Sequence, residues 1–347
     1  TTARLLLGLL SGLPLKAKVT GDGSLRSRPM RRVTEPLSEM GAAFWESGEP
    51  DRLPLIIEGG ALKKFSYNSS LASAQVKSAI LLAGLSGRVD SVVVEPGRSR
   101  DHTERILRRM GAQVSEAVTP EGWEVGLCVA PSELEPLDLT VPGDFSSAAF
   151  LIALALLGGS GDELRIQNVG LNPTRTTVLD VLRKMGADLD IAAHGKIHGE
   201  PRGDLRVRGP ISASGPVLKG GLIAGQTTAE VIDELPVLAV LGAASEEGLT
   251  IRDASELRHK ESNRIATVAE NLERMGVEVE VFDDGMHIPG RRRLRAAKLD
   301  SFGDHRVAMA FSVAALRADG PCVIQHAEAA AVSFPDFFEA LNRVVDR

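Results

Sequence analysis

Aromatic residues and cysteines are scarce in this chain. Aromatic side chains make up 4% of it, with one tyrosine and two tryptophans, so a core has to be packed from Leu, Val, Ile and Ala. Only two cysteines occur, Cys128 and Cys322, far apart and without CxxC spacing. That excludes a disulfide framework and a structural zinc site, and it points to a reduced, cytoplasmic protein. No apolar run reaches bilayer-spanning length. Positive charge is not in excess either: the net charge of −6 argues against nucleic-acid binding by bulk charge and leaves any anion site to local clusters of Arg and Lys. A Walker A loop, a GxGxxG turn, a GxSxG elbow and an HExxH helix are all missing. His194 and His198 in "HGKIH" are four residues apart, but that segment reads as a hairpin, so no metal is expected there.

What is present is a repeat. In a chain of 347 residues, 43% hydrophobic and 25% charged, two soluble globular domains are expected. Four segments close on Met-Gly, at Met40, Met110, Met185 and Met275. Each carries apolar residues at i, i+3 and i+4, basic residues in its last turn and a glycine where a left-handed cap is wanted, so each predicts an amphipathic helix. Between them lie more apolar segments, such as "FSSAAFLIALALLGG" and "HRVAMAFSVAALRADG", which predict buried helices too short to span a membrane. Strand-like runs follow those helices, and paired extended runs follow the Met-Gly caps. The repeating unit is buried helix, strand, amphipathic helix, hairpin.

The opening "TTARLLLGLLSGLP" matches the buried helix of a first copy. A secretory signal fits less well, because Arg4 interrupts the run and no small-x-small cleavage site follows. The strands that lead into the other copies have no counterpart before it, so the first domain is expected to be N-terminally incomplete, with apolar surface exposed. A Pro-Gly break before Asp144 places the domain crossing, giving domains of 1–141 and 142–347.

Cations concentrate in the loops from strand to amphipathic helix. "GDGSLRSRPM" supplies Arg26 and Arg28 ahead of a helix with Pro29 at its first position. "EPGRSRDHTER" supplies Arg98, Ser99 and Arg100, and "ELRHKESNR" supplies Arg258, Lys260 and Arg264. Free N–H groups at a helix start, with Arg, Lys and Ser beside them, suit an anion; a solvated loop is the plainer alternative. "GDHRVAMAF" sets Asp304, His305 and Arg306 at the head of a buried helix, where Arg306 needs a partner, Asp304 being the simple one. Asp233 in "EVIDELPVL" and Glu261 beside Lys260 and Arg264 are candidates for a base and a proton donor, or else helix-dipole partners. Ser73 and Gln75 suit hydroxyl or phosphate oxygens, or would cap the next helix.

Taken in order, "TTAR", "GDGSLRSRPM", "SAQ", "SRDHTE", "VPGDFSSAAF", "DELPVLAV", "KESNR", "GDHRVAMAF" and "SFPDFF" resemble the 5-enolpyruvylshikimate-3-phosphate synthases, the 3-phosphoshikimate 1-carboxyvinyltransferases, over essentially the whole chain. The resemblance implies an α/β fold: a two-domain inside-out α/β barrel built from repeated βαβαββ units that closes over its substrates. It implies transfer of the enolpyruvyl group of phosphoenolpyruvate to the 5-hydroxyl of shikimate 3-phosphate, with release of phosphate, in the shikimate pathway to aromatic amino acids. No cofactor and no metal are implied, and the expected partners are these two small molecules, with no nucleic acid, no membrane and a monomeric state. By position in the motifs it implies Glu261 as proton donor and Asp233 as base and shikimate ligand. Arg28, Arg264 and Arg306 match phosphoenolpyruvate ligands and Gln75 a residue touching both substrates. Ser73, Ser99 and Lys260 match shikimate phosphate and hydroxyl ligands, and His305 a neighbour of the reacting centre.

The chain departs from the family in places. The Lys-Ser-x-x-x-Arg segment and the Asn-Ala-Gly that precede the Thr-Thr-Ala-Arg motif in the family do not occur in these 347 residues. Asn263 stands where many members have Asp, and no lysine directly precedes "FPDFF", where Val332 and Ser333 lie. The alternative that carries weight is a truncated family member that keeps the fold without catalysis. Cys128 and Cys322, both in extended runs, argue against a UDP-N-acetylglucosamine enolpyruvyl transferase, which typically has a reactive loop cysteine. The lack of a basic groove, together with the shikimate-type motifs, argues against an RNA 3'-phosphate cyclase.

Overall fold

A computed structural model describes residues 1–128, 134–210 and 218–345. The chain separates into two compact units, Thr1–Thr140 with Ile197–Glu200, and Val141–Lys196 with Pro201–Arg347.

Unit 1 holds α1 (Thr2–Ser11), β1 (Lys16–Val19), α2 (Gly23–Arg26), α3 (Arg31–Met40), β2 (Ala43–Glu46), β3 (Leu55–Glu58), β4 (Phe65–Asn68), α4 (Ala74–Gly87), β5 (Ser91–Glu95), α5 (His102–Arg109), β6 (Gln113–Thr119) and β7 (Gly122–Cys128). Unit 2 continues with α6 (Phe145–Leu156), β8 (Glu163–Gly170), α7 (Thr177–Lys184), β9 (Leu189–Ile197), β10 (Glu200–Arg208), β11 (Gly221–Ile223) and α8 (Gln226–Glu230). It ends with α9 (Leu235–Ala244), β12 (Leu249–Ile251), α10 (Arg264–Arg274), β13 (Glu280–Phe282), β14 (Gly285–Ile288), β15 (Lys298–Asp300), α11 (His305–Ala315), β16 (Val323–Gln325) and α12 (Phe337–Val345).

The repeat read from the sequence is the organising unit of this α/β fold. In its full form a strand, a buried helix, a parallel strand, an amphipathic helix and a hairpin make a sheet ordered β4-β5-β7-β6, with β4 and β5 parallel and the remaining pairs antiparallel. The sheet β11-β12-β14-β13 has the same order and directions. Among the described residues, sheets β1-β3-β2 and β8-β10-β9 have no leading parallel strand. Beside β8 a lone parallel bridge from Gly143 to Val169 stands in its place. The glycines after the four Met residues, Gly41, Gly111, Gly186 and Gly276, all take positive φ, from 83° to 123°, as a left-handed cap requires.

Two local expectations are corrected. Pro29 does not open a helix: α2 ends at Arg26 and α3 begins at Arg31, capped by Met30. The last turn of α3 carries no basic residue, unlike those of α5, α7 and α10. Helix α1 is not apolar-buried all round, since Leu7 is fully enclosed while Leu6 and Leu9 are exposed. Its inner face lies against α4 so closely that a Cβ on Gly8 would sit 2.2 Å from the Ala79 carbonyl oxygen; only glycine permits that approach.

Unit 2 is filled by one continuous core from Phe145 to Leu341, drawn largely from α6, α9 and α11. Unit 1 has two separate clusters, one between α1, α3 and α4 and a smaller one around Leu81, Leu107, Val125 and Leu127. Both tryptophans, Trp45 on β2 and Trp123 on β7, belong to unit 1. No helix among the described residues is long and apolar enough to cross a membrane.

Candidate functional site

The chemistry-bearing side chains of unit 2 meet where α9, α10 and α11 begin. Each helix start is made by a polar residue. Glu234 caps α9, with Pro236 in its first turn. Asn263 caps α10 and accepts the Ala266 N–H, so the Asn found in place of the family's Asp serves equally well as a cap. Asp304 caps α11 and accepts the N–H groups of Arg306 and Val307.

At the centre is Arg264, 1% exposed. Its Nε donates to Asp304 Oδ2 at 2.8 Å, and its Nη2 donates to Asp304 Oδ1 at 3.2 Å and to Glu261 Oε2 at 2.8 Å. Its Nη1 lies 3.7 Å from Asp233 Oδ1. Burial works to lower the Arg264 pKa, but Asp304, Glu261 and Asp233 outweigh it and hold the guanidinium more firmly charged than usual. Burial likewise works to raise Asp304, and Arg264 with His305 carries that carboxyl below its ordinary range. His305 Nδ1 lies 3.8 Å from Glu261 Oε1. Burial first, and Arg306 next, hold its imidazole below the ordinary 6.5.

Arg306 does not bond Asp304 through its side chain, contrary to the simple pairing. It reaches Asp233 Oδ2 at 3.7 Å and Glu234 Oε1 at 3.8 Å, distances too long for hydrogen bonds, and its buried Nη1 makes none. Glu234 itself accepts from Ser146 Oγ at 2.6 Å and pairs with Arg175 at 3.5 Å. The knot thus joins Asp233, Glu261, Arg264, His305 and Arg306. Lys260 is not part of it and pairs with Glu256 at 2.8 Å. Arg258 is committed elsewhere, to the carbonyls of Asp283 and Phe282.

In unit 1, Arg28 follows α2, and Gln75 lies in the first turn of α4. Gln75 Nε2 donates to Thr1 Oγ1 at 2.8 Å, and its Oε1 accepts from Arg4 Nη1. Ser73 precedes α4 without capping it through its side chain; its N–H donates instead to Glu95 Oε1 at 2.8 Å. Ser99 Oγ donates to the same carboxylate, 2.7 Å from Oε2 and 2.9 Å from Oε1. Next to it Arg98 pairs with Asp101 at 2.7 Å and covers the Trp123 ring.

Two groups here escaped the sequence reading. Arg4 is 6% exposed, donates to Gln75 and to the Pro29 carbonyl, and leaves Nε buried without a hydrogen bond. Burial, then the charges of Arg32 and Arg28, push its pKa down to about 10 against the pull of Asp51. The signal was visible, since Arg4 is the lone charge in an apolar run. The second group is Lys77 with Glu95 and Glu104, and no pattern in the sequence pairs them.

Comparisons with known proteins bear on the family and the fold. A family model described as EPSP synthase (3-phosphoshikimate 1-carboxyvinyltransferase) matches residues 1–341. The 3-phosphoshikimate 1-carboxyvinyltransferase of Solibacter usitatus is 50% identical over 346 residues, covering 100% of this chain and 78% of its own length. That of Synechococcus sp. (strain JA-3-3Ab) is 49% identical, covering 100% and 76%. The structure of EPSP synthase from Acinetobacter baumannii superposes with a TM-score of 0.83 at 39% identity, covering 98% of this chain and 76% of that one. The enolpyruvyl transferase NikO from Streptomyces tendae, at 19% identity and a TM-score of 0.75, shares the fold. With a family model running nearly end to end and relatives sharing half its residues, the chain belongs to the EPSP synthase family of transferases.

Proposed function

We propose that this protein transfers the enolpyruvyl group of phosphoenolpyruvate to the 5-hydroxyl of shikimate 3-phosphate and releases phosphate, as a cytoplasmic, cofactor-independent monomer. The reaction needs a proton delivered to the methylene carbon of phosphoenolpyruvate while the hydroxyl oxygen, giving up its own proton, bonds the neighbouring carbon. Loss of a methyl proton and of phosphate then restores the double bond. Both substrates carry several negative charges, so the site needs cations and an acid–base pair held among them.

The observation that best supports this reading is the knot at the starts of α9, α10 and α11. Asp233 lies 3.7 Å from both Arg264 and Arg306, and Glu261 is fixed by Arg264 at 2.8 Å. In our reading Glu261 delivers the proton, Asp233 receives the hydroxyl proton and holds shikimate hydroxyls, and His305 keeps Glu261 oriented. Arg264 and Arg306 bind phosphoenolpyruvate, the latter with a donor that has no hydrogen-bond partner among the described residues. Lys260 serves shikimate 3-phosphate, releasing Glu256 to do so. From unit 1, Arg28 binds phosphoenolpyruvate, Gln75 touches both substrates, and Ser73 and Ser99 take the shikimate phosphate.

The test is phosphate release from the two substrates together. The wild-type chain is expected to release it only when both are present, and Glu261→Gln to lower kcat about 10²–10⁴-fold with little change in either KM. Arg28→Ala should raise KM for phosphoenolpyruvate about tenfold or more, the loss of a charged hydrogen bond. No release by the wild type, or full activity of Glu261→Gln, would overturn the assignment.

A further inference from the structure

Helix α4 is largely apolar, yet Lys77 sits on it with no exposed surface. Its ammonium lies 3.0 Å from Glu95 Oε2 at the end of β5 and 2.7 Å from Glu104 Oε1 on α5, both carboxylates also being buried. Three ionisable groups taken out of water cost stability that apolar side chains of the same size would not. A fold that only needed filling here would use Leu or Met. What the triad does hold is Glu95, and Glu95 holds something else: its two oxygens accept the Ser73 N–H at 2.8 Å and the Ser99 hydroxyl at 2.7 and 2.9 Å. Ser73 and Ser99 come from different loops, one before α4 and one before α5.

We propose that Lys77, Glu95 and Glu104 form a buried positioning triad for the phosphate of shikimate 3-phosphate, Glu95 fixing Ser73 and Ser99 and Lys77 cancelling the charge with which Glu95 would repel that phosphate. This rests on the reading above, in which the two serines receive the phosphate. The chemistry requires some such device. The one hydroxyl proton of Ser99 is committed to Glu95, so Ser99 donates to a phosphate only by turning that proton away from the carboxylate. The exchange is easy while Lys77 keeps Glu95 satisfied, and hard when Glu95 is left as a bare anion beside an incoming one. Burial pushes the Glu104 carboxyl up against the pull of Lys77, and the ammonium, 2.7 Å from Glu104 and 3.0 Å from Glu95, bridges the two carboxylates.

The experiment is calorimetric titration of the full chain with shikimate 3-phosphate, which needs no turnover. Lys77→Met should weaken binding by about tenfold or more, one unit of charge imbalance near a dianion. The double variant Lys77→Met/Glu95→Gln should recover most of the loss. In turnover, KM for shikimate 3-phosphate should rise while kcat and KM for phosphoenolpyruvate stay nearly constant. Unchanged binding in a folded Lys77→Met overturns the proposal. So does a loss that the double variant fails to recover, or one spread equally over both substrates, since either marks a purely structural role. If Lys77→Met does not fold, the wild type is read by nitrogen-15 NMR. The Lys77 ammonium signal should shift on adding shikimate 3-phosphate and not on adding phosphoenolpyruvate alone, and an unmoved signal overturns the proposal. Wild-type protein that neither binds shikimate 3-phosphate nor releases phosphate refutes the underlying reading, and the triad with it; normal wild-type binding with indifferent variants refutes the triad alone.

Discussion

Asp304 does two things with one carboxylate. It caps α11 through the N–H groups of Arg306 and Val307, and it clamps Arg264, the buried hub of the unit 2 knot. Because its pKa is lower in the folded protein than its ordinary 3.8, its contribution to stability is complete above that value and disappears as pH falls through the depressed one. Asp304→Asn keeps an oxygen for the cap and removes the charge. We expect it to cost about 3–5 kcal/mol in urea unfolding, the usual loss when one partner of a buried pair is removed. The stability of the variant should also fall less steeply below pH 3.8 than that of the wild type, since Asp304 no longer contributes to the acid-side loss. A loss under about 1 kcal/mol would mean that the pair is effectively solvated. At this scale the sequence was informative where motifs fix a residue's place, as for Asp233, Glu261 and Arg264, which do lie together. It was silent on Lys77, because burial and partners 18 and 27 residues away are properties of the fold.

Helices α1 and α4 meet through glycine. A methyl group on Gly8 points at the Ala79 backbone at 2.2 Å, and backbone cannot step aside as a flexible side chain can. Gly8→Ala should therefore cost about 1–3 kcal/mol, seen as a lower urea midpoint. Since Arg4 on α1 donates to Gln75 on α4, spreading the pair should also raise KM for phosphoenolpyruvate; an unchanged midpoint would contradict the close approach. Elements of this kind were mostly legible. The four Met-Gly ends predicted left-handed glycines, and all four are there, because a helix stop is a local event governed by φ. The errors came where the pattern was extended from three copies to a fourth. Helix α3 has no basic last turn and begins after Pro29, since Arg26 and Arg28 belong to the separate turn of α2 and the segment after it. Helix α1 reads as a buried helix with apolar surface left exposed, and it has both, Leu7 enclosed and Leu6 and Leu9 exposed, because an apolar sequence states what a helix can bury and not how many neighbours it has.

Two units with separate cores are expected to melt in separate steps. The core of unit 2 is continuous, whereas that of unit 1 is broken into two clusters, so unit 1 is expected to unfold first. Scanning calorimetry should give a van't Hoff enthalpy below the calorimetric one. Tryptophan fluorescence, which samples unit 1, should report a lower midpoint than far-ultraviolet circular dichroism, which samples both; coincident curves would rule this out. The placement of Trp123 reaches further. Its ring lies under the Arg98 guanidinium, 4.8 Å from centroid to carbon, and Arg98 is the residue next to Ser99. An anion settling at that loop redraws the field on the indole, and unit 2 contributes no competing indole emission. On the proposed reading, shikimate 3-phosphate seating at Ser99 should change Trp123 emission, a change readable by mixing alone, without label, coupling enzyme or turnover.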